Sequence, residues 1–240
     1  MPLNIYALAF DAHDPARLSS FWAGVLGRQV AETADGGHVL LPNGDTELRI
    51  EFYPTQAPKT GPNQMHFDLT SRSPEEQEAT VARALELGGR HLDIGQLPDE
   101  EHVVLADPEG NEFCVIEAGN GFIADTGVIG ALSSDGSQAV GYFWRDALGW
   151  PLVWDQDEET AIQSPRGGTK IAWGGPPYNA KTGKNRLHLD LAPPADGEQE
   201  AEVERLVALG AKRIDIGQGD VSWVVMADPD GNELCVLTPR

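Results

Sequence analysis

The decapeptide Asp107-Pro108-Glu109-Gly110-Asn111-Glu112-Phe113-Cys114-Val115-Ile116 decides how this chain folds, because the chain contains it twice. It returns 121 positions later as Asp228-Pro229-Asp230-Gly231-Asn232-Glu233-Leu234-Cys235-Val236-Leu237. A match this close at half the chain length indicates a tandem duplication. Asp-Pro-x-Gly is typical of a turn with Pro at its second position and Gly at its last. The apolar run that follows predicts a buried strand, so the motif is interpreted as scaffold.

Each half shows the same order of elements twice: a strand, a helix and three short strands. The first helix is predicted to begin at Asp14-Pro15, with Asp as the N-cap and Pro at the first helical position. The second is predicted from the capping box Ser73-Pro74-Glu75-Glu76. Both units recur in the second half, where His188-Leu189-Asp190-Leu191 matches His66-Phe67-Asp68-Leu69. A Gly/Asn/Asp-containing stretch at 118–126 predicts the boundary between domain 1 (1–118) and domain 2 (127–240).

Composition excludes several classes of function. The 240 residues carry a net charge of −21, which argues against nucleic acid or an anionic membrane as partner, since both attract Lys/Arg patches. No apolar run is long enough for a transmembrane helix, and the first residues lack the pattern of a signal peptide. We therefore expect a cytoplasmic protein. Cys114 and Cys235 occupy equivalent positions in predicted buried strands and are interpreted as small apolar fillers.

Four βαβββ units, helices ending in Phe-Trp-x-x-x-Leu-Gly, and an Ala-Asp-Pro-x-Gly-Asn-Glu hairpin resemble the vicinal oxygen chelate superfamily. That superfamily includes glyoxalase I, bleomycin-resistance proteins and extradiol dioxygenases. The resemblance implies an α+β fold of two tandem glyoxalase-like domains with cup-shaped mixed sheets. Because paired units complete a cup in this family, the two cups could form within each half or between the halves. The chain would then be a monomer or a homodimer.

The resemblance also implies where a metal would bind, since family members that use one place its ligands on the first and fourth strands of the units. Cups within each half would give domain 1 a possible site of Glu51, His66 and Glu117. The second half would offer His188 alone, with Ile129, Ala172 or Trp173, and Thr238 at the other positions. Cups between the halves would pair Glu51 with His188 and His66 with Glu117, and neither would have three donors. The cofactor is therefore expected to be none, or one divalent metal ion.

His66 and His188 are the candidate catalytic residues, because imidazole titrates near neutral pH and is a rare choice on a strand facing a pocket. Asp68 and Asp190 follow by two positions and so lie on the same strand faces as the histidines. Such a pair could orient the ring or transfer a proton. The alternative is a half-buried histidine that only bonds to its neighbours.

Two tryptophans are candidates for lining a pocket. Trp173 stands where the first half has its carboxylate, and Trp223 stands where it has His102. His102, Asp68 and Asp190 are further candidates for ligand-binding residues. Aromatic walls with one imidazole suit a flat apolar ligand. The sequence therefore favours a small-molecule-binding protein, similar to bleomycin-resistance proteins, that sequesters an apolar or aromatic compound. The alternatives are a metal-dependent lyase, isomerase or dioxygenase with its metal in domain 1, and a cofactor-free enzyme with His66 or His188 as general acid or base.

Overall fold

The structure, a computed structural model, describes residues 3–33, 36–97, 99–179 and 181–240. Unit 1 consists of β1 (Asn4–Ala12), α1 (Pro15–Leu26), β2 (Val30–Glu32), β3 (His38–Leu40) and β4 (Ile50–Pro54). Unit 2 consists of β5 (Met65–Leu69), α2 (Pro74–Glu86), β6 (Arg90–His91), β7 (Val103–Ala106) and β8 (Glu112–Val115). Unit 3 consists of β9 (Ile129–Ser134), α3 (Gln138–Leu148), β10 (Leu152–Gln156), β11 (Glu159–Gln163) and β12 (Lys170–Trp173). Unit 4 consists of β13 (Leu187–Ala192), α4 (Gln199–Leu209), β14 (Lys212–Arg213), β15 (Val224–Ala227) and β16 (Glu233–Val236).

The strands form two mixed sheets of eight strands each. Sheet A has the order β14-β15-β16-β13-β1-β4-β3-β2, and sheet B has the order β10-β11-β12-β9-β5-β8-β7-β6. The predicted α+β class with four βαβββ units is confirmed. No helix in the described part of the chain is long and apolar enough to cross a membrane.

Each sheet takes one unit from each half of the chain. In sheet A, β1 of unit 1 runs antiparallel to β13 of unit 4, with Ala9 opposite His188. In sheet B, β5 of unit 2 runs antiparallel to β9 of unit 3, with His66 opposite Ser133. Of the two arrangements compatible with the sequence, the structure has the one in which the halves exchange units.

Alternation along the strands separates a core face from a second face in each sheet. Leu8 and Phe10 of β1 and Ile50 and Phe52 of β4 are buried in one core, which also contains residues of sheet B and all four helices. The neighbouring positions, such as Ala9 and Glu51, point to the opposite face. We call this opposite face of sheet A cup A, and the equivalent face of sheet B, which carries His66, cup B.

The first copy of the decapeptide connects unit 2 to unit 1. Asp107 accepts hydrogen bonds from the backbone N–H groups of Glu109 and Asn111, both at 2.9 Å, which fixes the turn. Its other oxygen accepts one from the Trp22 indole of α1 at 3.3 Å. Glu109 accepts bonds from the backbone N–H groups of His13 and Asp14, at 2.8 Å each, just before α1. Burial raises the pKa of Asp107 to about 6, although these hydrogen bonds act to lower it.

The second copy connects unit 4 to unit 3 in the same way. Asp228 accepts from the Trp144 indole of α3 at 3.1 Å, and the Asp230 carboxylate accepts from the backbone N–H of Ser137, the N-cap of α3. The motif therefore holds the two units of each half together, while the central strand pairs hold the two halves together.

Candidate functional site

A cavity of about 570 Å³ lies over cup B. One wall is formed by Trp154 of β10 and by Phe122 from the connector between the halves, with ring centroids 5.7 Å apart in an edge-to-face arrangement. Ala172 of β12 and Gly174 leave the space beside this wall open. Clefts of 300 to 1,000 Å³ with mostly apolar walls are typical of small-molecule sites.

Three groups of potential chemistry meet at the floor of this cavity: His66 and Cys114 line it, and the Asp68 carboxylate lies against His66. One ligand atom from each lies within 4.8 Å of the other two. The His66 Nε2 is 3.4 Å from the Asp68 carboxylate, whose other oxygen accepts a hydrogen bond from the Ser133 hydroxyl. The parallel pairing of β5 with β8 sets Asp68 opposite Cys114, so the arrangement follows directly from strand register.

His66 is held in its charged form. Burial alone would lower its pKa, but the hydrogen bond and charge of Asp68, together with Cys114, raise it to about 10. Burial in turn raises the pKa of the Cys114 thiol. The His66 side chain keeps 34% of its surface exposed and lines the cavity, so a bound molecule can contact it. A charged imidazole in this position can donate a hydrogen bond or a proton to an oxygen atom of a ligand.

Cup A contains an equivalent cluster of His188, Asp190 and Cys235. The His188 Nε2 is 3.4 Å from the Asp190 carboxylate and 3.5 Å from the Cys235 sulfur. Here the side chains are closed off: His188 is 9% exposed, and its Nδ1 is buried without a hydrogen-bond partner. The cluster of histidine, aspartate and cysteine is therefore accessible in cup B and covered in cup A.

Cys114 and Cys235 were predicted to be apolar fillers and not part of these clusters, because a cysteine in an apolar strand suggests packing alone. A signal was present, since each cysteine follows the repeated His-x-Asp at nearly the same distance, 48 residues after His66 and 47 residues after His188. Glu117 and Thr238 were predicted to face the cups from the last strand of each half. In the structure, Cys114 and Cys235 occupy the cup-facing positions of these strands.

The predicted metal set of Glu51, His66 and Glu117 is not brought together. Glu51 belongs to β4 of sheet A, whereas His66 belongs to β5 of sheet B, because the halves exchange units. Glu117 follows the end of β8 and accepts a hydrogen bond from the Asn120 side chain at 2.7 Å, beside the connector.

The other predicted pocket residues lie in different environments. Trp173 lines the cavity of cup B, but its ring stacks on Trp144 in the core, with centroids 6.3 Å apart. Trp223 lies on the loop before β15 of sheet A and is 40% exposed. His102 directly precedes β7, 3.7 Å from the Glu100 carboxylate. The cavity of cup B is lined by neither Trp223 nor His102.

A divalent metal would find three protein donors in cup B. Imidazole, carboxylate and thiolate together suit zinc or a similar ion, and three protein ligands with an open position are typical of catalytic zinc sites. The donor set of His66, Asp68 and Cys114 therefore fits such an ion in type and number. Binding would require both Cys114 and the charged His66 to lose a proton; burial opposes the first loss, and the Asp68 charge opposes the second.

Comparison with known proteins agrees with the fold of two tandem domains. Glyoxalase I from Zea mays is similar in structure over 98% of this chain and 92% of its own, with a TM-score of 0.65 and 12% identity. A putative dioxygenase from Bacillus subtilis is similar over 99% of this chain and 85% of its own, with a TM-score of 0.64 and 14% identity. No curated protein matches the chain in sequence. The sequence model of the glyoxalase-like domain matches residues 7–116 and 131–237. The chain therefore belongs to the glyoxalase-like domain family, in two tandem copies.

Proposed function

We propose that this protein binds a small aromatic molecule in cup B. The observation that carries the proposal is the cavity of about 570 Å³, with Trp154 and Phe122 on one wall and half-exposed His66 on its floor. Aromatic walls supply large apolar contact area, and a single polar group at the floor fixes the orientation of the ligand. Glyoxalase I from Zea mays and the putative dioxygenase from Bacillus subtilis have a similar fold and are consistent with a small-molecule ligand.

Titration of the purified protein with 2-naphthylacetamide, a neutral aromatic probe, tests the proposal by calorimetry. We expect one binding site per chain. Trp154→Ala should weaken binding at least about tenfold, which corresponds to about 1.4 kcal/mol, because it removes half of the aromatic wall. Trp223→Ala is the matched control and should leave the affinity unchanged. Absence of binding, or equal effects of the two substitutions, would contradict the proposal.

A metal-dependent lyase, isomerase or dioxygenase activity in cup B is the second candidate, and the converging His66, Asp68 and Cys114 donors favour it. A metal there would act as a Lewis acid and polarise an oxygen atom of the substrate. His66 and Asp68 would hold it from β5, and Cys114 would hold it from β8. The candidate metal ligands are therefore His66, Asp68 and Cys114, which lie close together in cup B. They replace the predicted set, which included Glu51 and Glu117.

Cobalt binding distinguishes this second candidate from simple ligand binding. Added Co²⁺ should produce a thiolate-to-metal charge-transfer band that Cys114→Ser abolishes. Cys235→Ser is the matched control, and it should leave the band intact because cup A is closed. If Co²⁺ and Zn²⁺ give neither a band nor a rise in melting temperature, no metal binds the native state and this candidate fails.

A further inference from the structure

An aspartate occupies the same position in both cups. The backbone N–H of Asp11 donates to the Arg186 carbonyl at 2.8 Å, and that of Asp135 donates to the Gln64 carbonyl at 2.9 Å. Arg186 and Gln64 each lie two residues before the histidine of their cup. Asp11 and Asp135 each lie two residues after the position opposite that histidine, so both face the cup. The two aspartates are therefore equivalent.

In cup A this aspartate binds an ammonium group of the protein itself. The Lys184 Nζ lies 2.5 Å from Oδ2 of Asp11, and both the carboxylate and its surroundings are buried. Lys184 lies four residues before His188. Four residues before His66, the chain has Pro62 instead. Cup B therefore contains the aspartate of this ion pair but lacks its lysine.

In cup B the equivalent carboxylate lies at the open cavity. Asp135 and Pro62 both line it. The Asp135 carboxylate accepts a hydrogen bond from the Asn179 side chain at 2.9 Å. It forms no ion pair with any residue in the described part of the chain. A neutral amide leaves the negative charge of Asp135 uncompensated, whereas Lys184 compensates that of Asp11.

A second carboxylate lies across a glycine from Asp135. The register of β12 with β9 and with β11 places Gly174 between Asp135 and Glu159, and all three residues line the cavity. Two strand spacings of about 4.8 Å set the Cα atoms of the two acidic residues about 10 Å apart. Gly174 leaves the space between them open, whereas Tyr53 stands at this position in cup A. An ammonium group fits between the two carboxylates.

The remaining charges at the cavity are paired. The lining has three carboxylates and, within the described part of the chain, no lysine or arginine. Glu112, the third carboxylate, lies 2.7 Å from the Lys59 ammonium. Asp68 lies 3.4 Å from the charged His66. The two carboxylates beside Gly174 therefore carry the uncompensated charge of the cavity.

We propose that the ligand of cup B is an aromatic amine whose ammonium group binds between Asp135 and Glu159. It binds Asp135 as Lys184 binds Asp11 in cup A, while its ring lies against Trp154. Hydrogen bonds between an ammonium and a carboxylate are stronger than those between neutral groups, and aromatic faces also attract cations. This inference rests on the proposed function and specifies the class of ligand. The net charge of −21 favours the approach of a cation.

Calorimetry with 2-(2-naphthyl)ethylamine and 2-(2-naphthyl)ethanol tests the inference, because the probes differ only in carrying an ammonium or a hydroxyl group. We expect the amine to bind at least about tenfold more tightly than the alcohol. Asp135→Asn retains an acceptor for Asn179 and should reduce this preference at least about fivefold. Glu78→Gln, on the exposed side of α2, changes the net charge equally and should leave the preference intact.

Two results would overturn this inference and leave the proposed function standing. One is equal affinities of the wild-type protein for the two probes. The other is an equal effect of Asp135→Asn and Glu78→Gln on the preference for the amine, which would mean that only the net charge attracts it. If neither probe binds, the proposed function fails as well.

A substitution that restores the lysine of cup A gives a second, independent test. Pro62→Lys places an ammonium group where Lys184 stands in cup A, so that it competes with the ligand for Asp135. Pro62→Met has a similar length without the charge and serves as the control, and thermal unfolding verifies that both variants fold. We expect Pro62→Lys to weaken binding of the amine at least about tenfold more than Pro62→Met does. Equal losses would mean that Asp135 does not bind the ammonium group and would overturn the inference.

Discussion

Single buried polar residues hold this fold together, and Asp107 is the clearest case. Its carboxylate accepts from two backbone N–H groups of its own turn and from the Trp22 indole of another unit. Asp107→Ala would leave these buried donors without acceptors. Each unpaired donor lowers the free energy of unfolding by about 1–3 kcal/mol where water cannot replace the carboxylate. We predict a loss of about 3 kcal/mol or more in the free energy of unfolding, measured in urea.

Asp93→Ala is the matched control for this prediction. Asp93 accepts a similar turn bond from the backbone N–H of Gly95 at 2.9 Å, but the turn is exposed to solvent. We expect Asp93→Ala to lower the free energy of unfolding by less than about 1 kcal/mol, because water can replace the lost acceptor. Similar costs for the two substitutions would show that the link from Asp107 to Trp22 contributes little.

The charge of His66 gives a prediction about pH. Its pKa in the folded state is raised to about 10, above the value of 6.5 for a free imidazole. The stabilisation that Asp68 gives is therefore complete below pH 6.5 and is lost as the pH rises through 10. In metal-free protein, NMR titration should show His66 still protonated at pH 8. Asp68→Asn should lower the pKa of His66, since the charge of Asp68 is lost while burial, which lowers the pKa, remains. A titration of wild-type His66 near 6.5 would contradict this prediction.

At the scale of elements, β4 and β12 determine which cup is open. They have the same register in their sheets, but β4 carries Glu51 and β12 carries Ala172 at the position two strands away from the histidine. We predict that the double substitution Glu51→Ala and Tyr53→Gly opens cup A. Calorimetry with 2-naphthylacetamide should then give two sites per chain instead of one. A stoichiometry that stays at one would show that other side chains close cup A.

The strands also show what the sequence could and could not predict. The repeat, the turns and the alternation of apolar residues predicted the four units, because these are local patterns. Which units pair was not predictable, since β5 and β13 begin with the same His-x-Asp and would fit either partner. The clusters depend on that pairing and on the register of single residues. Cys114 was therefore missed, and the sequence left open whether Glu51 shares a cup with His66 or with His188.

At the scale of the whole molecule, exchange of units makes each half dependent on the other. A fragment of residues 1–118 would leave β1 and β5 without their partners β13 and β9. We predict that this fragment does not form a stable folded monomer, because two long strand edges are exposed. Mixing it with a fragment of residues 127–240 should give a folded one-to-one complex by light scattering. Two folded monomers that do not associate would contradict the exchanged arrangement.

The central claim is that ligands enter cup B and not cup A, and the indole N–H signals of the six tryptophans test it most directly. In a ¹H–¹⁵N spectrum recorded during titration with 2-naphthylacetamide, the Trp154 signal should shift and saturate at one equivalent. The Trp223 signal, from the sheet of cup A, should stay in place. A shift of Trp223 with Trp154 unchanged would contradict the assignment of cup B as the binding site, as would the absence of any shift.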